Sequence, residues 1–327
     1  MLVRVSLIGR FFGSRDDVPE WAKFFAPADY REFLLFLDQE MRRRELAFEV
    51  GDGVVHVAPP GGEEADYGLL NLAQTCHATS RDDWAGTIRE HFDNAFRSSR
   101  DAQELDAMAG AIENVRSVLK VRLYHTDYLE QMGGAGLIHR VPAEGLIETL
   151  VYDLPGSVRT VPPDHVRTWG VPEPELFEMG LANVRAERPA PVLQTFNVGK
   201  SVVIRALVGD SFFTASHALF LEEHLDVDPD YGAIVAMPHR HAVIFHAIAD
   251  MGVMTAVNSM IPIAFGMYQE GPGSLSAGLY WRRGKRLTLL PTRVTSQSVT
   301  FSPPDDFVSD VLDRVPDVPA GEDAPPT

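Results

Sequence analysis

Gly232-Ala233-Ile234-Val235-Ala236-Met237-Pro238-His239-Arg240-His241-Ala242-Val243-Ile244-Phe245-His246-Ala247-Ile248 consists of two apolar runs joined by a short polar insert. Short apolar runs bounded by turn signals read as buried strands. Pro238 has no N–H to give a sheet ladder, so it ends the first run and leaves His239-Arg240-His241 as a polar turn. The same pairing of strands recurs along the chain. Gly145–Asp153 can pair with Val158–Val161, Gln194–Val208 reads as a hairpin turning near Asn197–Lys200, and Leu279–Trp281 can pair with Arg286–Leu290. Phe212–Ala215 reads as a further strand, followed by a helix over Ser216–Leu225. Strand pairs outnumber strand-helix-strand alternations, which predicts an α+β fold.

Upstream of residue 120 the pattern is helical. Phe33, Leu37 and Met41 recur along one face of a helix predicted over Asp29–Glu45. A hairpin over Leu46–Val50 and Val54–Ala58 turns at Gly51-Asp52-Gly53. Trp84, Ile88, Phe92 and Phe96 stand one turn apart, and Asp101 with Glu104 has capping-box form, so two successive helices are expected. The N-terminus itself suggests a strand over Leu2–Ile8. Further on, Pro172 and Pro174 introduce a helix over Glu175–Arg185, and another is expected over Thr255–Tyr268. Three regions follow: helices with a hairpin over 1–120, a mostly antiparallel sheet with packed helices over 121–302, and an acidic, proline-rich tail over 303–327.

Charge narrows the function. The 327-residue chain carries 29 basic against 46 acidic residues, a formal net charge of −17, which disfavours a phosphate backbone as partner. Its basic clusters, Arg42-Arg43-Arg44 and Arg282-Arg283-Gly284-Lys285-Arg286, fit a helix C-terminus and a hairpin turn. The single cysteine, Cys76, excludes an internal disulfide and suits a reducing, cytoplasmic setting. No apolar stretch is long enough to span a bilayer, and no signal-peptide layout opens the chain, so no membrane association is expected. The tail holds seven acidic residues and one arginine and is expected to be largely disordered. Within it Phe307, Val311 and Val315 form a stripe able to dock on the body or on a protein partner.

Familiar catalytic motifs fail on inspection. Gln194–Ser201 ends like a Walker A loop, but Gln194 replaces its first glycine. Asp226, Asp228 and Asp230 alternate as in a calcium loop, but Tyr231 and Met237 occupy the glycine and glutamate positions. Cys76 beside His77 is no dyad, because adjacent side chains point apart. The remaining candidates are His239 and His241, as metal ligands or acid/base groups, and Arg240 for binding. On an extended strand His239 and His241 share a face and His246 points away, whereas on a helix His239, His246 and Asp250 share a face and His241 does not. A metal would therefore also need His217, His224 or a remote carboxylate, with Asp210 or Asp250 in support; which cofactor, if any, is left open.

Gly209-Asp210-Ser211-Phe212-Phe213-Thr214-Ala215-Ser216, the segment Gly232–His239 and the helix ending Gly180-Leu181-Ala182-Asn183-Val184 together resemble the YtpQ-like family of uncharacterised bacterial proteins. The resemblance spans about Asp29 to Pro291 and departs after His239, where Arg240-His241 replace an acidic residue. It implies a bacterial cytoplasmic α+β protein with Asn183, Asp210 and the Pro238-His239 turn in one structural core. Two functions stand: a binding or regulatory module, with Arg240, Asn183 and Asp210 as binding residues, or a hydrolase, metal-dependent or histidine-assisted, at the Pro238–His241 turn.

Overall fold

The computed structural model describes residues 18–58, 64–132, 136–155, 157–198, 202–226, 229–294 and 299–318. The fold is α+β and divides into two compact units. The first is Met1–Glu104 with Pro155–Ser157 and Glu270–Pro272; the second is the remainder.

In the first unit, helix α1 (Pro27–Arg43) precedes strands β1 (Ala47–Val50), β2 (Val54–Ala58) and β3 (Ala65–Gly68), which form one antiparallel sheet in that order. Helix α2 (Leu70–Ala78) follows, and α3 (Trp84–Met108) begins. Phe33, Leu37 and Met41 from α1, Val55 and Val57 from β2, and Trp84, Ile88 and Phe92 from α3 make its core. The two helices expected around Ser98 are one continuous α3, because neither glycine nor proline occurs between Thr87 and Met108. The Arg42–Arg44 cluster is engaged by carboxylates: Arg42 pairs with Asp38, and Arg43 and Arg44 both donate to the buried Glu40.

The second unit continues with α4 (Ile112–Val115), β4 (Leu119–His125), α5 (Asp127–Gln131), β5 (His139–Ala143), β6 (Leu146–Leu154) and β7 (Ser157–Thr160). These strands form a sheet centred on β6, which pairs with β4, β5 and β7. Helices α6 (Pro163–Trp169) and α7 (Glu173–Ala186) come next, and α7 packs directly on β4. Gly180 makes that approach possible: a Cβ there would lie 2.9 Å from Val121 Cγ2 and 3.0 Å from the Lys120 carbonyl carbon.

A six-stranded antiparallel sheet is built from β8 (Val192–Val198), β9 (Val202–Val208), β10 (Ala233–Ala236), β11 (Ala242–Ala247), β12 (Leu279–Arg283) and β13 (Arg286–Leu290). Their order is β13-β12-β10-β11-β9-β8, and β10 and β11 sit centrally because Ala233–Ala236 and Ala242–Phe245 are apolar and buried on both faces. Helix α8 (Gly252–Glu270) supplies Val253, Val257, Met260 and Ile261 to the core on one face of this sheet. Phe213, expected in a strand, is buried just ahead of a 3-10 stretch, Thr214–His224. Ser211 prevents the strand: its hydroxyl accepts from the Phe213 N–H at 3.0 Å and closes a turn.

Strands β14 (Thr292–Val294) and β15 (Val299–Phe301) pair with each other, and a short helix α9 (Asp305–Phe307) opens the tail. The tail stripe is docked on its own body. Phe307, Val311 and Val315 are buried with Trp281 and Leu290 in the core under α8, and the Tyr231 hydroxyl donates to Arg314 O at 3.1 Å. These three side chains therefore present no apolar face to a partner. Arg282, expected in a turn, is a buried strand residue paired with Glu222, and Arg283 pairs with Asp310 at 2.7 Å. Leu2–Ile8, Gly199–Ser201 and Asp228 lie outside the described residues.

Candidate functional site

The Pro238–His241 turn joins β10 to β11 and is held on both sides by backbone hydrogen bonds. Leu275 N–H donates to Pro238 O at 2.9 Å, and Arg240 N–H donates to Gly273 O at 3.1 Å. Ala215 N–H donates to Arg240 O at 3.0 Å, and Gly209 N–H to His241 O at 3.2 Å. Gly273, at φ +69°, is needed for this: a Cβ would stand 2.7 Å from Arg240 Cδ.

Hydrogen bonds fix the state of both imidazoles. His241 Nε2 accepts from Arg240 Nε at 2.8 Å, so its Nδ1 carries the proton and donates to Gly209 O at 3.1 Å. His239 Nδ1 accepts from the His241 N–H at 3.2 Å. Burial, then the Arg240 charge, pushes each imidazole down to about 4, so both are neutral at pH 7. With one nitrogen of each ring accepting and the other protonated, neither has a lone pair left for a metal or for a substrate proton. His217 and His224 hydrogen-bond to each other at 2.8 Å within Thr214–His224. Among the described residues no three His, Cys, Asp or Glu side chains are grouped to hold a metal.

The turn's work is to hold Arg240. Its guanidinium lies 4.3 Å from the centre of the Phe212 ring, and Arg122 approaches the same ring to 5.6 Å. Arg122 also lies 4.6 Å from the Tyr124 ring, which stacks on Tyr128 at 4.1 Å. Arg122 and Tyr124 share one face of β4 with Lys120. Lys120 is balanced by Asp153 at 2.7 Å and Glu187 at 2.9 Å. Among the described residues neither Arg122 nor Arg240 has a carboxylate within ion-pair distance, and Arg122 Nε is buried without a hydrogen-bond partner. Burial, then Arg122, pushes Arg240 down to about 10, which still leaves two positive charges side by side at pH 7. Phe212, the ring they share, is 40% exposed.

The other expected residues lie elsewhere or do other work. Asn183 is structural: its amide donates to Arg116 O at 2.8 Å and Leu119 O at 2.7 Å, fastening α7 to the entry of β4. Asp210 is exposed beside Phe212 in sequence, and the charges acting on Arg240 are those of Arg122 and Tyr124. Asp250 caps α8 by accepting from Gly252 N–H at 2.7 Å. His246 lines a cavity of about 610 Å³ with Val202, Val203, Arg205, Tyr231 and Asp250, at the far end of β11. It stands five positions after His241, about 17 Å along the strand. Burial pushes the Cys76 thiol up to about 12, which makes it unreactive. Gln194–Val198, the first letters of the Walker-like segment, are strand β8 and not a phosphate loop.

Arg122 and Tyr124 belong to no motif in the sequence, and Phe212 enters there only as part of the Gly209–Ser216 segment. The available signal was local: Lys120-Val121-Arg122-Leu123-Tyr124 alternates polar and apolar, putting an arginine and a tyrosine on one strand face. Comparison with protein-family models, with curated proteins and with solved structures finds no match. The likeness to the YtpQ-like family rests on the quoted motifs alone.

Proposed function

We propose that this chain is a binding module whose Arg122–Phe212–Arg240 surface captures an anionic small molecule, a carboxylate or phosphate carried on a planar body. One observation carries the reading: among the described residues two guanidiniums share one aromatic ring with no carboxylate at ion-pair distance, in a chain with 46 acidic residues. Adjacent like charges in a partly buried site repel, and a bound anion removes that repulsion. The planar guanidinium fork matches carboxylate and phosphate oxygens two at a time. His241 occupies Arg240 Nε and so leaves the terminal nitrogens for the ligand, while the exposed part of Phe212 offers an apolar contact for its planar body. Histidine-assisted hydrolysis would need the imidazole lone pairs that the turn consumes, so the histidines serve here as positioning residues.

Calorimetric titration with benzoate, phenyl phosphate, acetate and inorganic phosphate tests this. Aromatic anions should bind more tightly than acetate or phosphate. Arg122→Gln and Arg240→Gln should each weaken binding at least about tenfold, since a charge-assisted hydrogen bond contributes roughly 1.5–3 kcal/mol. Equal heats from the double variant and the wild type would refute the assignment.

A further inference from the structure

Strand β8 is an edge of the six-stranded sheet, and its sequence, Val192-Leu193-Gln194-Thr195-Phe196-Asn197-Val198, contains no charge, proline or glycine. Val192 is 61% exposed, Leu193 45% and Phe196 47%, and Val203 of the neighbouring β9 adds 36%. A long, flat, uncharged edge presents a row of free N–H and C=O groups and is the feature that monomeric proteins blunt with lysine, proline or a bulge. None of those devices is present here. The opposite edge strand, β13, begins with Arg286.

We propose that β8 is a homodimerisation edge, on which a second copy of this chain adds its own β8 antiparallel and continues the sheet across a two-fold axis at Thr195. Charge selects that occupant. Two chains of net charge −17 repel over most of their surfaces, and β8 lets them meet along a strand with no charge on either side. A partner of opposite charge would instead be drawn to the acidic surface. The strand is also self-complementary. With Thr195 on the axis, Val192 faces the second copy's Val198, Leu193 its Asn197 and Gln194 its Phe196, so each apolar side chain meets an apolar group or an amide. An antiparallel pair of seven residues forms about six to eight backbone hydrogen bonds, and the interface is isologous, as closed dimers require.

The register gives the test. On a two-fold axis the two Thr195 Cα atoms stand about 4.5–5.5 Å apart, within disulfide reach. The native Cys76 is buried, so a thiol introduced at 195 is the reactive one. Mild oxidation of Thr195→Cys in the full chain should give a covalent dimer on a non-reducing gel. Asn197→Cys, which faces Leu193 of the second copy, should cross-link far less. Light scattering across a concentration series should show a wild-type dimer, with a dissociation constant raised about tenfold or more in Phe196→Lys, where each copy brings a charge into the pair. Circular dichroism confirms that the variants keep the fold. A wild-type chain that is monomeric at every concentration, equal cross-linking at 195 and 197, or a dimer unmoved by Phe196→Lys would each overturn the proposal.

Discussion

Acidification from pH 7 to pH 5 should destabilise the second unit through its neutral histidines. His217, His239 and His241 are each pushed down from 6.5 to about 4, by burial first in every case. His239 also feels Arg240; His241 feels Arg240, His239 and Arg122; His217 feels His224 and Arg185, opposed by Glu187. The folded values lie below the unfolded one, so the unfolded chain takes up protons first as pH falls. The stabilisation is complete above pH 6.5 and is lost as pH drops through 4. At pH 5 each imidazole accounts for about 2 kcal/mol, and in the steep part of the window one proton corresponds to about 1.4 kcal/mol per pH unit. His224 and His246, also lowered by burial, add in the same sense, and His239 and His241 titrate together, so the slope should correspond to between about one and five protons. Glu148, raised by burial, acts in the opposite sense. The assay is guanidinium unfolding at pH 7, 6 and 5, with hydrogen exchange of the β10 and β11 amides reporting on this unit. His241→Gln can keep both hydrogen bonds, accepting from Arg240 and donating to Gly209, but has no proton to gain. It should reduce the slope by about one proton, and an unchanged slope in this variant would refute the reasoning.

Phe307→Ala should cost about 3–5 kcal/mol, because its ring is fully buried against Trp281 at 5.3 Å; a shift in denaturant midpoint below about 1 kcal/mol would contradict the docked tail. Asn183→Ala leaves Arg116 O and Leu119 O without their amide donor and should cost roughly 1–3 kcal/mol by the same measurement, with anion binding retained. Gly232→Ala places a methyl group 2.1 Å from Arg282 O at φ +80°, so a loss of at least about 1–3 kcal/mol is expected in thermal unfolding.

Much of the architecture was legible because periodicity is a local property. Apolar residues at helical spacing marked α1, and the Ala233–Met237 and Ala242–Ile248 runs marked β10 and β11. Failures arose where a neighbour outside the local pattern decided the outcome. Ser211 folds its hydroxyl onto Phe213 N–H and removes an expected strand, and the absence of a breaker near Ser98 merges two expected helices. The histidines attracted notice by spacing alone, yet spacing does not show which lone pairs are already spent.

The sequence by itself determined the α+β class, the strand-turn-strand around Pro238 and the neutrality of β8, since each depends on residues adjacent in the chain. Tertiary structure alone decided that Arg122 and Arg240, 118 positions apart, face one Phe212 ring with no carboxylate at ion-pair distance among the described residues. It alone decided too that β8 lies at an edge and that the tail stripe is buried at home. The physical reason is common to all three. Periodicity is written residue by residue, whereas charge balance, strand order and burial are properties of which distant segments meet.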